Sequence, residues 1–201
     1  MLYILREALG LNSLRQRYIY VTDGGHFDNL GLIELLRRGC GQIVCFDAAG
    51  GDLTLFHTIS EAIALARSDL GVDIEIDLAP LMPSAPTTPP SVEGEFSPSD
   101  HVCGSIRYPN GTEGVLVFAK LAMAEDAPQD ARAFREVDPR FPNHPTIDQF
   151  FDERTFEAYR GLGAHAARGC VEALNEYLAT GDCGPTATAA APPDPLEELE
   201  P

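Results

Sequence analysis

The 201-residue chain has no run of 18 or more apolar residues, so none of its segments is long enough to cross a bilayer as a helix. Its opening apolar stretch, Leu2 to Leu5, is too short for the core of a secretory signal, and Arg6 follows that stretch instead of preceding it. Cations are scarce. Fourteen Lys and Arg face 31 Asp and Glu, a formal net charge of -17 that repels phosphate backbones and anionic membrane surfaces and argues against nucleic acid as a partner. The tail residues Asp194, Glu197, Glu198 and Glu200 supply only four of those carboxylates, so the body of the chain is acidic too. Cysteine is also sparse. Cys40, Cys45, Cys103, Cys170 and Cys183 form no Cys-x-x-Cys pair and are odd in number, which reads as buried or incidental thiols in a reducing compartment. The string Asp47-Ala48-Ala49-Gly50-Gly51 lacks the Gly-x-Gly-x-x-Gly order of a dinucleotide loop, and no cofactor is expected.

What is present suffices for one globular domain over residues 1–180, since 44% apolar content is ordinary for a folded core. Leu2 to Leu9 has the look of a helix end stopped by Gly10, and Tyr18 to Thr22 that of a strand. Asp28 or Asn29 can cap a helix whose apolar face is Leu32, Ile33, Leu35 and Leu36, with Arg37 and Arg38 at its dipole-favoured end before Gly39. Gln42 to Asp47 is an unbroken apolar run, the pattern of a strand buried on both faces. Thr58 and Glu61 make a capping box for a helix to about Asp69, and Val72 to Ile76 alternates like a half-buried strand. This βαβαβ order predicts an α/β layer with a mainly parallel sheet.

Beyond a Pro-rich loop at 79–99, His101 to Tyr108 and Gly114 to Met123 flank Asn110-Gly111, a hairpin signal that adds two strands to the layer. Helical patterns cover Gln129 to Glu136 and Asp152 to Leu178, the latter interrupted by Gly161, Gly163 and Gly169, where a bend or break is expected. Residues 181–201 read as a disordered acidic tail.

The chemistry concentrates in Asp23-Gly24-Gly25-His26-Phe27-Asp28-Asn29-Leu30-Gly31-Leu32, which sets a carboxylate at a strand end in a narrow, glycine-rich loop. Open α/β sheets hold their sites in such positions. The plain alternative is a turn aspartate bonded to its own loop. Asp47 also ends a strand, as a second cleft residue or a turn former. His144 reads as a loop residue, with a cleft rim as the alternative; Phe150, Phe151, Phe156 and Tyr159 have helical spacing and read as core or a partner surface before any lipid-binding role.

Asp23 to Arg38, together with Cys45-Phe46-Asp47-Ala48, Ala64 to Gly71 and Phe141-Pro142 through Arg160, resembles a bacterial subgroup of the patatin-like phospholipases and lipid acyl hydrolases. The likeness spans roughly residues 3–163. It implies a Ser/Asp dyad with Asp23 as base, an active-site loop of Gly24, Gly25, His26, Asp28 and Asn29, and a lipid or other carboxylic ester as substrate. Gly24 and Gly25 are expected to take positive φ and keep side chains away from the serine. The family's Gly-x-Ser-x-Gly elbow and its upstream Gly-rich oxyanion loop do not occur in these residues. Cys103-Gly104-Ser105-Ile106-Arg107 lacks the second glycine and lies in a strand pattern.

The chain is therefore expected to be the C-terminal part of such a hydrolase, inactive alone and completed by an N-terminal half or a second chain. A cytoplasmic location is expected, any membrane association being carried by sequence outside this chain. A non-catalytic remnant or binding module of the same fold is the second reading. A metal-dependent hydrolase using Asp23, His26 and Asp28 is the third, although the spacing matches no metal motif and no metal is expected.

Overall fold

A computed structural model describes residues 9, 11, 24–50, 56–83, 96–145, 147–148 and 150–182. The strand predicted at Tyr18–Thr22, the dyad candidate Asp23, nearly all of the first predicted helix, the centre of the Pro-rich loop and nearly all of the predicted tail lie outside these residues.

After a 3₁₀ turn at Gly24–His26, the first helix, α1, is Leu32–Arg37. Leu32, Ile33 and Leu36 are its buried face, whereas Leu35, expected on that face, is 38% exposed; exposed Glu34 pairs with Arg37 at 2.6 Å and Arg38 at 3.0 Å. The chain then turns through Gly39, whose φ of 70° suits glycine, into strand β1, Gln42–Asp47. Helix α2, His57–Leu65, continues as one π-helical turn, Ala66–Leu70, and leads to β2, Asp73–Ile76. The predicted capping box does not cap α2: its N-cap is Phe56, in the left-handed region at φ 42° with no side-chain bond, and Glu61 lies 3.3 Å from His57.

Strands β3, His101–Arg107, and β4, Glu113–Lys120, form the predicted hairpin, with Gly111 at φ 82° and Asn110 accepting the Thr112 N–H. The hairpin is not an addition to the sheet but its centre, because the strand order is β1-β4-β3-β2. Only β1 and β4 pair in parallel, from Gln42↔Val115 to Asp47↔Lys120, whereas β4–β3 and β3–β2 are antiparallel. Among the described strands the sheet is thus mixed, not mainly parallel. A tight Asn-Gly turn can join only antiparallel neighbours, and inserting such a pair between β1 and β2 removes the parallel contact that their order implied.

The same order relocates the strand buried on both faces. It is β4, with all residues after Glu113 buried; β1 stands at one end of the order and leaves Phe46 51% exposed. Leu116 and Phe118 of β4 join α1 and α2 in one core cluster, and Val115, Val117 and Ala119 meet Ala166, Cys170 and Ala173 in the other. Those last three belong to α4, Glu153–Thr180, so helices cover both sheet faces. A third cluster, with Met123, Ala131, Phe141 and Leu162, binds α3, Gln129–Val137, to the first half of α4.

Helix α4 is unbroken over 28 residues despite its glycines. Asp152 caps it by accepting the Thr155 N–H at 2.8 Å, and Gly181 ends it at φ 80°. Gly169 serves packing: a Cβ there would come within 2.5 Å of the His101 ring. Of the cysteines, Cys40, Cys45 and Cys170 are free, and Cys103 is disulfide-bonded, which corrects the expectation of thiols throughout. No helix among the described residues is long and apolar enough to cross a membrane.

Candidate functional site

The loop that leads into α1 is organised by Asp28. One carboxylate oxygen accepts the Leu30 N–H at 3.0 Å and the other accepts the Ile33 N–H at 2.7 Å. A single side chain thereby satisfies two donors at the helix start, where no intrahelical acceptor exists. Phe27 and Asp28 in turn donate their N–H groups to the Gly24 carbonyl at 2.9 and 2.8 Å, closing the 3₁₀ turn. The turn is right-handed; the loop's left-handed position is Gly31, at φ 67°, and not Gly24.

Gly25, His26, Phe27, Asp28 and Asn29 face α2 across a cavity of about 560 Å³. The opposite wall is a stripe of α2 and its π turn, comprising Thr58, Glu61, Ala62, Leu65 and Ser68, positions that share one face of a helix. His26 and Asn29 are exposed on the loop, and Phe27 stands 58% exposed.

Burial, then the charges of Asp47 and Asp28, push the Cys45 thiol up to about 12. Cys45 is accordingly a protonated, inert thiol. Cys170 is likewise pushed up to about 12, by burial and then by Asp100 and Cys45.

Asp47 is 3% exposed and Lys120, its register partner on β4, 6%. Lys120 Nζ lies 3.1 Å from Asp47 Oδ2 and donates to the Ala49 carbonyl at 2.6 Å, while Asp47 Oδ1 accepts the Ala49 N–H at 2.8 Å. Asp47 is thus both the turn former that the sequence suggests and half of a buried ion pair. The pair fixes the exit of β1, which runs against another loop: a Cβ on Gly50 would lie 3.2 Å from the His144 carbonyl oxygen.

His144 is buried, and its ring bridges two elements. Its Nε2 is 2.9 Å from Asp138 Oδ2 and its Nδ1 is 2.7 Å from the Tyr159 hydroxyl of α4. With the proton on Nε2 donated to the carboxylate, Nδ1 accepts from the Tyr159 O–H, whose oxygen accepts the His144 backbone N–H at 3.3 Å. Every polar atom of the ring is then satisfied. The His144 bond, followed by those from Arg140, holds the Asp138 carboxyl down at about 2. Burial raises the Tyr159 phenol, so this hydroxyl is not activated as a nucleophile. Phe151 stacks on Tyr159 at 5.3 Å, and the predicted aromatic cluster divides: Tyr159 joins the core, whereas Phe150 and Phe156 are exposed.

The structure therefore brings Gly24, Gly25, His26, Asp28 and Asn29 into one loop beside a cavity. Asp23, next in the chain before Gly24, is outside the described residues. Ser105, the nearest imitation of a nucleophile, sits in regular β3, paired with Val115 and Glu75, with no strand-to-helix turn around it. Both oxygens of Asp28 are committed to backbone N–H groups. Among the described residues no three His, Cys, Asp or Glu side chains converge as metal ligands. Sequence reasoning missed Lys120, although a lysine closing the apolar run from Gly114 to Ala119 signals a buried charge that needs a partner. Comparison with protein-family models, curated proteins and solved structures gives no match for this chain.

Proposed function

We propose that these residues form the aspartate-bearing part of a patatin-like serine acyl hydrolase that cleaves lipid or other carboxylic esters. The likeness of the Asp23–Arg38 segment to that family is one support. The observation that carries it is the cavity that Gly25 to Asn29, which follow Asp23 closely in the chain, line against α2.

In the proposed reaction Asp23 accepts the proton of a serine hydroxyl as its oxygen attacks the ester carbonyl carbon. The alcohol leaves with a proton returned from Asp23, and water then releases the acid from the acyl-enzyme by the same route. The 201 residues contain no Gly-x-Ser-x-Gly elbow, so the serine comes from a further polypeptide segment. That lack equally favours a second reading, a binding module that uses the cavity without turnover.

The test is Asp23→Asn in a domain completed with a serine-elbow segment. Asparagine keeps the shape but accepts no proton, so kcat/KM falls by about 10²- to 10⁴-fold with little change in thermal midpoint. Retained activity refutes the dyad. The 201-residue chain alone gives no labelling by a fluorophosphonate; saturable labelling at one of its serines refutes the division of the site.

A further inference from the structure

We infer that the cavity between the Gly25–Asn29 loop and α2 accepts uncharged esters and rejects phosphate-bearing ones. This rests on the hydrolase reading for the cavity's purpose, but the selection follows from the lining alone. Ala62 and Leu65 form an apolar floor, and half-exposed Phe27 offers an aromatic edge at the mouth. A volume of about 560 Å³ is ordinary for a small-ligand pocket.

The polar part of the lining lacks what a phosphate needs. Among the described residues no lysine or arginine lines the cavity, and the carboxylates that do are Asp28 and Glu61. The backbone N–H groups of Leu30 and Ile33 at the start of α1, which an anion would otherwise seek, are already taken by Asp28. Glu61 lies 3.3 Å from His57, and both are largely exposed. A phosphate entering here would meet two like charges with no guanidinium or ammonium from the described lining to offset them, inside a chain whose net charge is -17. An ester whose alcohol part is uncharged, such as a glyceride, meets no such penalty.

The experiment is isothermal titration of the 201-residue chain with monooctanoylglycerol and, separately, octyl phosphate, both below their micelle concentrations. The uncharged ester binds at one site, and octyl phosphate binds about tenfold more weakly or worse, a difference of about 1.4 kcal/mol. Glu61→Lys, at an exposed position, narrows that gap by strengthening octyl phosphate binding. Ala62→Trp fills the floor and abolishes binding; Ser68→Trp, at an exposed rim position, does the same without a core substitution. Equal or tighter binding of octyl phosphate overturns the inference, as do binding that survives both tryptophans and no binding of either ligand. Asp23→Asn leaves these affinities unchanged, so failure of the dyad and failure of the selection are read in separate measurements.

Discussion

Lys120 Nζ at the end of β4 lies 3.1 Å from the carboxylate of Asp47, the residue directly opposite it in the parallel β1–β4 register. Both are almost fully buried, so each charge depends on the other for its compensation. Lys120→Met leaves the buried Asp47 side chain with the Ala49 N–H as its remaining partner, and urea unfolding is expected to show a loss of about 3 to 5 kcal/mol. The double variant Asp47→Leu with Lys120→Met recovers a large part of that loss. A single variant within about 0.5 kcal/mol of the parent shows that water reaches the pair and that it does not hold the β1 exit.

Asp28→Asn separates capping from charge. Asparagine has one acceptor oxygen where the carboxylate uses two, so one of the Leu30 and Ile33 donors loses its partner. The expected cost is about 1 kcal/mol in the thermal or urea midpoint, and Asp28→Ala, which removes both acceptors, costs about 2 kcal/mol. Equal stability of all three proteins shows that the start of α1 is satisfied by water and that the loop is not held by this side chain.

Much of this was legible beforehand. The apolar spacing of α1, the Asn110-Gly111 hairpin, and the extents of α3 and α4 follow from local periodicity and turn chemistry, and the structure places them within a few residues of expectation. Sheet order was not legible, because strand pairing is non-local: an apolar run such as Gln42 to Asp47 does not record which strands flank it. The partners of His144 lie 6 and 15 residues away across a loop with no period to reveal them. Lys120 was missed although its signal, a lysine closing the apolar run from Gly114 to Ala119, is present in the sequence.

The Asp138–His144–Tyr159 network gives the acid limb of stability a definite sign. Asp138 drops from an ordinary 3.8 to about 2 in the folded state, chiefly through His144 and then Arg140. Its contribution is therefore fully present above pH about 4 and is lost as pH falls through about 2. Asp138→Asn is expected to lower stability at pH 7 and to flatten the decline between these limits. Chemical denaturation at a series of pH values checks this. A parent and variant with parallel acid limbs show that Asp138 is not held in this way.

Gly163 and Gly169 of α4 distinguish packing from propensity. A methyl group at Gly169 has the His101 ring within 2.5 Å, while at Gly163 nothing lies within 4 Å. His101 is itself held, with Nδ1 2.7 Å from the buried Asp100 carboxylate, so its ring does not yield freely. Gly163→Ala gains helix propensity in open space and is expected to stabilise the protein by about 0.5 to 1 kcal/mol. Gly169→Ala makes the same gain but displaces the ring, and a net loss of about 1 to 3 kcal/mol is expected from the overpacking. His101→Ala removes the obstruction, so in that background Gly169→Ala turns from destabilising toward neutral, which a double-mutant cycle on unfolding free energies reads directly. If Gly169→Ala stabilises the parent as much as Gly163→Ala does, α4 does not press against β3 at His101, and the seating of this helix on the sheet is wrong.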